Sequence, residues 1–293
     1  MDTIALPTLS GVEHAYVDLP GLRMHVAQAG AGEPVLLLHG FPQHWWEWRG
    51  IIPRLAPHYR VICPDLRGAG WTDAPTDGYT SEQQQTDVLA LLDHLDLDRV
   101  RLVAHDWSAI VGFQLAIRHP ERIQEYVSLA TPHPWIRFQP AMLRGVWRLW
   151  FQPVIATPGL GPRLLGRRNQ PLARYLLEQD VADHAFTAED REAFLAPLRQ
   201  PERARAGSAL YRRLILPELR RIAAGAYRES RLTVPTRVLY GPADPALAPE
   251  VHGGYEAYAD DLAVEPIEEA GHFLADERPD LVADRILAFF ATP

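Results

Sequence analysis

The residue with the clearest chemical promise in this sequence is Asp106, because of what flanks it. Arg101-Leu102-Val103-Ala104-His105 reads as a strand, the run from Trp107 to Ile117 reads as a helix, and Asp106 is the single residue between them. Such a one-residue turn is a strained elbow at the carboxyl edge of a sheet, and it needs small residues two positions before and after. Ala104 and Ser108 meet that need around Asp106, whereas an elbow centred on Ser108 would be flanked by Asp106 and Ile110, both too bulky. The spacing therefore selects the aspartate over the serine. A carboxylate in that position attacks an sp3 carbon and becomes an alkyl ester, rather than transferring an acyl group as a hydroxyl does.

An isolated aspartate before a helix ordinarily does no more than cap it, so the weight falls on its companions. The strand-like run Arg237-Val238-Leu239-Tyr240-Gly241 leads to Asp244, and the run from Ala263 to Ile267 leads to Ala270-Gly271-His272. An acid and then a histidine after successive late strands give the chain order nucleophile, acid, base. In that order His272 activates water against the ester and Asp244 fixes its tautomer. Near the start, Leu38-His39-Gly40-Phe41-Pro42 ends a strand in a tight turn. Beside the elbow, the main-chain N–H groups of Phe41 and Trp107 would form an oxyanion hole.

These residues need a parallel sheet to bring them together. Strand-like runs at Val35 to Leu38, Tyr59 to Cys63, Val100 to Ala104, Tyr126 to Leu129, Thr236 to Tyr240 and Ala263 to Ile267 alternate with helical runs such as Thr86 to Leu95 and Leu281 to Phe290. An antiparallel hairpin, His14 to Leu19 and Leu22 to Gln28, turns at Pro20 and Gly21 and leads into the sheet. Between His133 and Arg231 the strand signal vanishes, and the text is helical and broken by Pro153, Pro158, Pro162 and Pro171. It is too long and too apolar for a loop, and reads as a helical cap over 133–231 inserted into a core of 1–132 and 232–293.

Composition narrows the partners. A net charge of −8 argues against binding phosphate backbones or acidic lipid, and no apolar stretch is long enough to span a bilayer. Cys63 is the sole cysteine, so neither an intrachain disulfide nor a thiolate metal cluster can form. The acidic N-terminus lacks the pattern of a signal peptide, and a soluble cytoplasmic protein is expected. Eight tryptophans, six of them clustered (Trp45, Trp46, Trp48 and Trp135, Trp147, Trp150), fit an aromatic lining for an apolar pocket.

The motifs resemble the epoxide hydrolase and haloalkane dehalogenase branch of the α/β-hydrolase superfamily. The resemblance runs from the His39-Gly40-Phe41-Pro42 turn through Asp65-Leu66-Arg67-Gly68-Ala69-Gly70 and His105-Asp106-Trp107 to Asp244 and Gly271-His272. It implies the α/β-hydrolase fold, a mostly parallel eight-stranded sheet flanked by helices with an inserted cap. Asp65 and Arg67 would brace loops. Neither metal nor organic cofactor is expected, the partner is a small apolar or aromatic electrophile, and a homodimer is left open.

Within that branch an epoxide oxygen leaves as a basic alkoxide and wants a proton donor, whereas a halide needs only hydrogen bonds. Family epoxide hydrolases resemble one another in using two cap tyrosines. Ala209-Leu210-Tyr211-Arg212 resembles the segment of the second, which makes Tyr211 the expected acid. Leu149-Trp150-Phe151-Gln152-Pro153 resembles the segment of the first with Trp150 in the tyrosine's place, and an indole N–H can donate a hydrogen bond but not surrender its proton. Ring opening by Tyr211, aided by Trp150, is the expectation. A dehalogenase is the alternative, against which stand Phe41 where haloalkane dehalogenases usually carry asparagine, and Trp107 and Ile110 where haloacid dehalogenases carry arginines. A non-catalytic small-molecule receptor on the same fold is the third reading. His39, Pro42, Trp46, Trp147 and Tyr175 are further candidates to line the pocket.

Overall fold

The computed structural model describes residues 4–136, 147–167, 169–179, 185–244, 247 and 251–291. Its centre is set by runs with no polar face: β3 (Pro34–Leu38) and β5 (Val100–His105) are buried along almost their whole length, as strands covered on both sides must be. At the edge, β1 (Glu13–Leu19) is mostly exposed and pairs antiparallel with β2 (Leu22–Ala29) across a tight turn in which Leu19 faces Leu22. With β4 (Arg60–Pro64), β6 (Ile123–Leu129), β7 (Thr236–Tyr240) and β8 (Leu262–Pro266) the sheet has eight strands in the order β1-β2-β4-β3-β5-β6-β7-β8. Every pairing from β4 to β8 is parallel.

The order decides where a site can form. The chain steps from β3 outward to β4 and then returns to β5 on β3's other side, so the carboxyl ends of β3 and β5 open a crevice at the point where the winding reverses. Those ends carry His39 to Phe41 and Asp106. The next parallel strands carry Thr131 after β6, Asp244 after β7 and His272 after β8.

Alternate residues of the central strands feed the two faces. Leu36, Leu38, Leu102 and Ala104 join one apolar cluster, and Val35, Leu37 and Val103 join the other. The first cluster continues into the segment between β6 and β7 through Phe151, Leu165, Phe194 and Tyr211. Among the described residues that segment carries no strand beyond a single bridge from Leu232 to Ala259; it has helices at Phe151–Ala156, Leu160–Gly166, Pro171–Glu178, Ala188–Leu198, Pro201–Leu210 and Leu216–Ala223, a 3-10 turn at Trp147–Leu149 and a π-helical turn at Tyr211–Ile215. The expectation that each proline breaks a helix needs correction. Pro153 and Pro162 sit in the first turn of their helices and Pro171 opens one, where the missing N–H has no intrahelical partner to lose. No helix among the described residues is long and apolar enough to cross a membrane.

Candidate active site

Asp106 has φ +54° and ψ −133°, a conformation that residues with a Cβ rarely adopt and that persists only when the surroundings enforce it. The enforcement is visible. Its N–H donates to Leu129 O at 3.1 Å, its carbonyl accepts from the Thr131 hydroxyl at 2.8 Å, and Ser108 Oγ lies 2.9 Å from Leu38 O and 2.8 Å from His105 O. Ser108 therefore does not crowd the elbow; its hydroxyl ties the elbow to the end of β3. The Asp106 side chain makes no capping bond to the helix it precedes (Trp107–Arg118). It is turned across the crevice, where Oδ2 accepts the Phe41 N–H at 3.0 Å.

That approach depends on Gly40. A Cβ there would lie 2.7 Å from His105 Nδ1 and 2.8 Å from Asp106 Cβ, so any larger residue would push the turn off the elbow. Trp107 opens the elbow helix, and its N–H is one of the first-turn donors without an intrahelical partner. Of the two expected oxyanion donors, the Phe41 N–H contacts the carboxylate directly, and Trp107 follows Asp106 as the first residue of the helix.

On the other side His272 Nδ1 donates to Asp244 Oδ2 at 2.8 Å, leaving Nε2 facing Asp106 Oδ1 at 3.9 Å. That separation is beyond a hydrogen bond. Asp244 is buried, while the His272 and Asp106 side chains are about a quarter exposed, at 25% and 26%. Burial disfavours an imidazolium, but the Asp244 and Asp106 carboxylates outweigh it and raise the His272 pKa above its ordinary value. The His272 loop is gripped from below, where Gly271 N–H and Phe273 N–H donate to the two oxygens of buried Glu277 at 2.9 and 3.0 Å. It also rests on the end of β7, since a Cβ on Gly241 would fall 2.2 Å from Gly271 O.

Tyr211 heads the π-helical turn and is buried, with its ring edge-on to Phe41 at 5.2 Å and to Phe151 at 6.4 Å. A π turn re-aims side chains out of α-helical register and is frequent at functional sites. Burial, reinforced by the Asp106 charge, pushes the phenol pKa well above 10, so the proton stays on.

The expected partnership of Trp150 with Tyr211 is not what the structure brings together. Trp150 is 46% exposed and its Nε1 donates to Tyr175 OH at 3.2 Å, while the next residue, Phe151, turns inward to Tyr211. A helix advances about 100° per residue, so neighbours in sequence face different ways. Trp147 is 66% exposed and stands towards solvent, which removes it as a pocket wall in this arrangement. Trp46 bridges core to cap through Nε1 and Asp190 Oδ1 at 2.8 Å. His39 is buried with both ring nitrogens occupied by main chain, Nδ1 donating to Gly40 O and Nε2 accepting from Leu66 N–H, each at 2.9 Å. With Pro42, Phe41, Trp107 and Leu210 it borders a cavity of about 30 Å³ beside the turn.

The loop after β4 is held by Asp65, which accepts from Trp45 N–H, Trp71 N–H and His25, and by a two-pronged Arg67–Asp87 pair at 2.6 and 2.8 Å. Sequence reasoning did not single out Glu47, Glu277, Asp276, Arg49 or Asp190, and gave His105 no role. All but Glu277 act through a contact distant in sequence; Glu277 grips the neighbouring Gly271 and Phe273 N–H groups. The one local signal was two acids, Asp276 and Glu277, closely following His272.

The geometry has close relatives. The α/β-hydrolase fold family model matches residues 33–279. The chain is 29% identical over 287 residues to the soluble epoxide hydrolase of Corynebacterium sp. (strain C12), covering 96% of this chain and 98% of that one. It is 31% identical over 313 residues to epoxide hydrolase 1 of Siraitia grosvenorii, with 95% and 98% covered. The solved structure of the epoxide hydrolase CorEH without ligand superposes with a TM-score of 0.83 at 30% identity, over 96% of this chain and 99% of that one. An elbow with an unusual backbone, an acid and a histidine on the following strand ends, and matches of this length together place the chain in the α/β-hydrolase superfamily, within its epoxide hydrolase branch, as a hydrolase.

Proposed function

We propose that the protein hydrolyses a small apolar or aromatic epoxide to a diol through a covalent ester on Asp106, with the helices of 133–231 acting as a cap over the site. The observation that carries this reading is the Asp106 carboxylate itself, held at φ +54°, unused as a helix cap, and set between the Phe41 N–H and His272 Nε2. An Asp106 oxygen attacks an oxirane carbon, the carbon–oxygen bond breaks, and the departing alkoxide takes the Tyr211 proton. Esterification removes the Asp106 charge, and with it part of what raises the His272 pKa. His272 Nε2 then takes a proton from water while the hydroxide adds to the ester carbonyl. The Phe41 and Trp107 N–H groups hold the oxyanion until it collapses and breaks the acyl–oxygen bond, and the departing alkoxide takes the proton of the added hydroxyl to complete the diol. The proton on His272 returns to Tyr211 through solvent, and one oxygen of the Asp106 carboxylate now comes from water.

The relatives named above are epoxide hydrolases, and Tyr211 supplies the acid that alkoxide departure requires and halide departure does not. Intact-mass measurement of the His272→Gln variant after exposure to aryl epoxides tests the reading. The expected product is an adduct of the full epoxide mass on Asp106. An alkyl adduct from a haloalkane, lacking the halogen, with none from any epoxide would make the protein a dehalogenase. No adduct from either class would return it to the receptor reading.

A further inference from the structure

Directly behind the crevice lie two charged groups that the reaction above does not use. Glu47, in the 3-10 turn Trp45–Gly50, and His105, the last residue of β5, are both buried completely. Glu47 Oε1 is 2.9 Å from His105 Nδ1, and Glu47 Oε2 accepts the Gly40 N–H at 2.8 Å. His105 Nε2 donates to His272 O at 2.9 Å. His105 Nε2 therefore donates to a carbonyl while Nδ1 stands at ion-pair distance from a carboxylate without being aligned for a hydrogen bond, an arrangement that favours an imidazolium. Its pKa agrees: burial lowers it, but the Glu47 carboxylate more than compensates and carries it up to about 9.

We propose that Glu47 and His105 are positioning residues: their ion pair ties the Phe41 turn and the His272 loop to the strand that carries Asp106. On the epoxide-hydrolase reading, on which this part rests, the two steps should then depend on the pair unequally. Ring opening needs Asp106 and Tyr211, which are held by the elbow and the cap. Ester hydrolysis needs the Phe41 N–H and His272 Nε2, and those are the groups whose main chain the pair grips. The grip on the His272–Phe273 peptide is two-ended, with His105 on its oxygen and Glu277 on its N–H. The charged groups facing the pair from the surrounding elements are Asp106, His272 and Asp276, the last engaged by Arg49 and Gln43.

Glu47→Ala removes both contacts, and Glu47→Gln keeps their shape, since its amide can accept from Gly40 and donate to a neutral His105 that still reaches His272 O. Rapid-quench kinetics with an epoxide should show ester hydrolysis about 100-fold slower in Glu47→Ala, ring opening changed less than about 5-fold, and the ester accumulating. Glu47→Gln should recover hydrolysis to within about 10-fold of wild type. Equal slowing of both steps, or a Glu47→Gln variant as impaired as Glu47→Ala, overturns the proposal.

Should Glu47→Ala fail to fold, His105→Gln takes its place, and a second measurement needs no substrate. Amide hydrogen exchange in His105→Gln should quicken at least about 10-fold at Gly40 and Phe273 but not in the middle of β5; unchanged exchange at both sites overturns the proposal. Wild-type protein that forms no diol from any epoxide would defeat the catalytic reading alone, and the exchange measurement would still decide whether the pair holds the loops.

Discussion

On the sheet side of the crevice each charged or polar group is set by main chain or by a buried counter-charge. Asp106 is locked into an unfavourable backbone conformation, His272 is braced by Asp244, and the peptides around it are clamped by Glu277 and His105. The cap side is built otherwise. Tyr211 sits among aromatic edges, Trp150 and Tyr175 pair with each other at the surface, and Trp147 faces solvent. Groups that must handle charge need a fixed geometry, because misplacement by about 1 Å can cost about 100-fold in rate. A wall that only has to fit an apolar substrate can be made by packing, and packing tolerates substitution better. On the proposed mechanism every reacting group but one stands on a strand end, and the helices supply that one, Tyr211, together with an apolar wall.

The sharpest test of the sheet side is Asp106→Gly. It should abolish turnover by more than about 10⁴-fold, as removal of a nucleophile does. The same change should stabilise the fold by about 1–3 kcal/mol, because glycine adopts φ +54° without the strain imposed on aspartate. Diol assay and thermal denaturation read the two effects on one sample. A variant no more stable than wild type would mean the elbow stores no strain.

The cap side breaks on one residue. Tyr211→Phe should slow ring opening by about 10²–10⁴-fold, whereas Trp150→Phe should cost less than about 3-fold, since that indole bonds to Tyr175 at an exposed position. Single-turnover rates on one epoxide decide it. Equal losses would restore Trp150 as a second donor and erase the contrast between the two aromatic positions.

How much of this was legible in the sequence follows the same divide. The elbow, the two strand-end partners and the His-Gly-Phe turn were readable because each is a local pattern whose spacing the backbone dictates. Six strands placed within a few residues and the hairpin sufficed to align the carboxyl ends. What could not be read was contact across the chain. Glu47 reaches His105 over fifty-seven intervening positions and Arg49 reaches Asp276 over more than two hundred, and no period or motif records such a meeting. The facing of Trp150 failed for a related reason: a one-residue rotation on a short proline-bearing helix exchanges the inward and outward positions, and both candidates there are aromatic.

Arg49 is where the two sides are joined. Its guanidinium lies between buried Asp276, beside the His272 loop, and Asp190 in the first turn of the cap helix Ala188–Leu198, with Nε at 2.8 Å from Asp190. Arg49→Gln removes the cation beside Asp276, whose carboxyl burial already lifts to about 7 and which then takes up a proton, so the cost should be that of the lost charge-assisted contacts, about 1.5–3 kcal/mol. Denaturant melts give that figure. Should the loss stay under about 1 kcal/mol, the cap would be held by apolar packing alone, and the contrast between the walls would extend to how they are joined.

The last expected effect concerns pH and reads the buried charge behind the sheet side. His105 has a folded pKa of about 9 against an ordinary 6.5, so the stability it contributes is fully present below about pH 6.5 and is lost as pH rises through about 9. For a completely buried group the shift corresponds to roughly 3 kcal/mol, or a fall of roughly 5 °C in melting temperature across that window. His272, also raised, adds a loss of the same sign as pH rises. Asp276 acts lower: burial lifts its carboxyl to about 7, so its unfavourable ionisation is spent before pH 8. Glu47→Gln separates the contributions, since without the carboxylate His105 has no reason to hold its second proton. Melting temperatures of wild type and Glu47→Gln should therefore converge between pH 7 and pH 9.5. Parallel curves would mean that His105 is neutral in the folded protein and that the bond to His272 O, rather than the ion pair, fixes the loop.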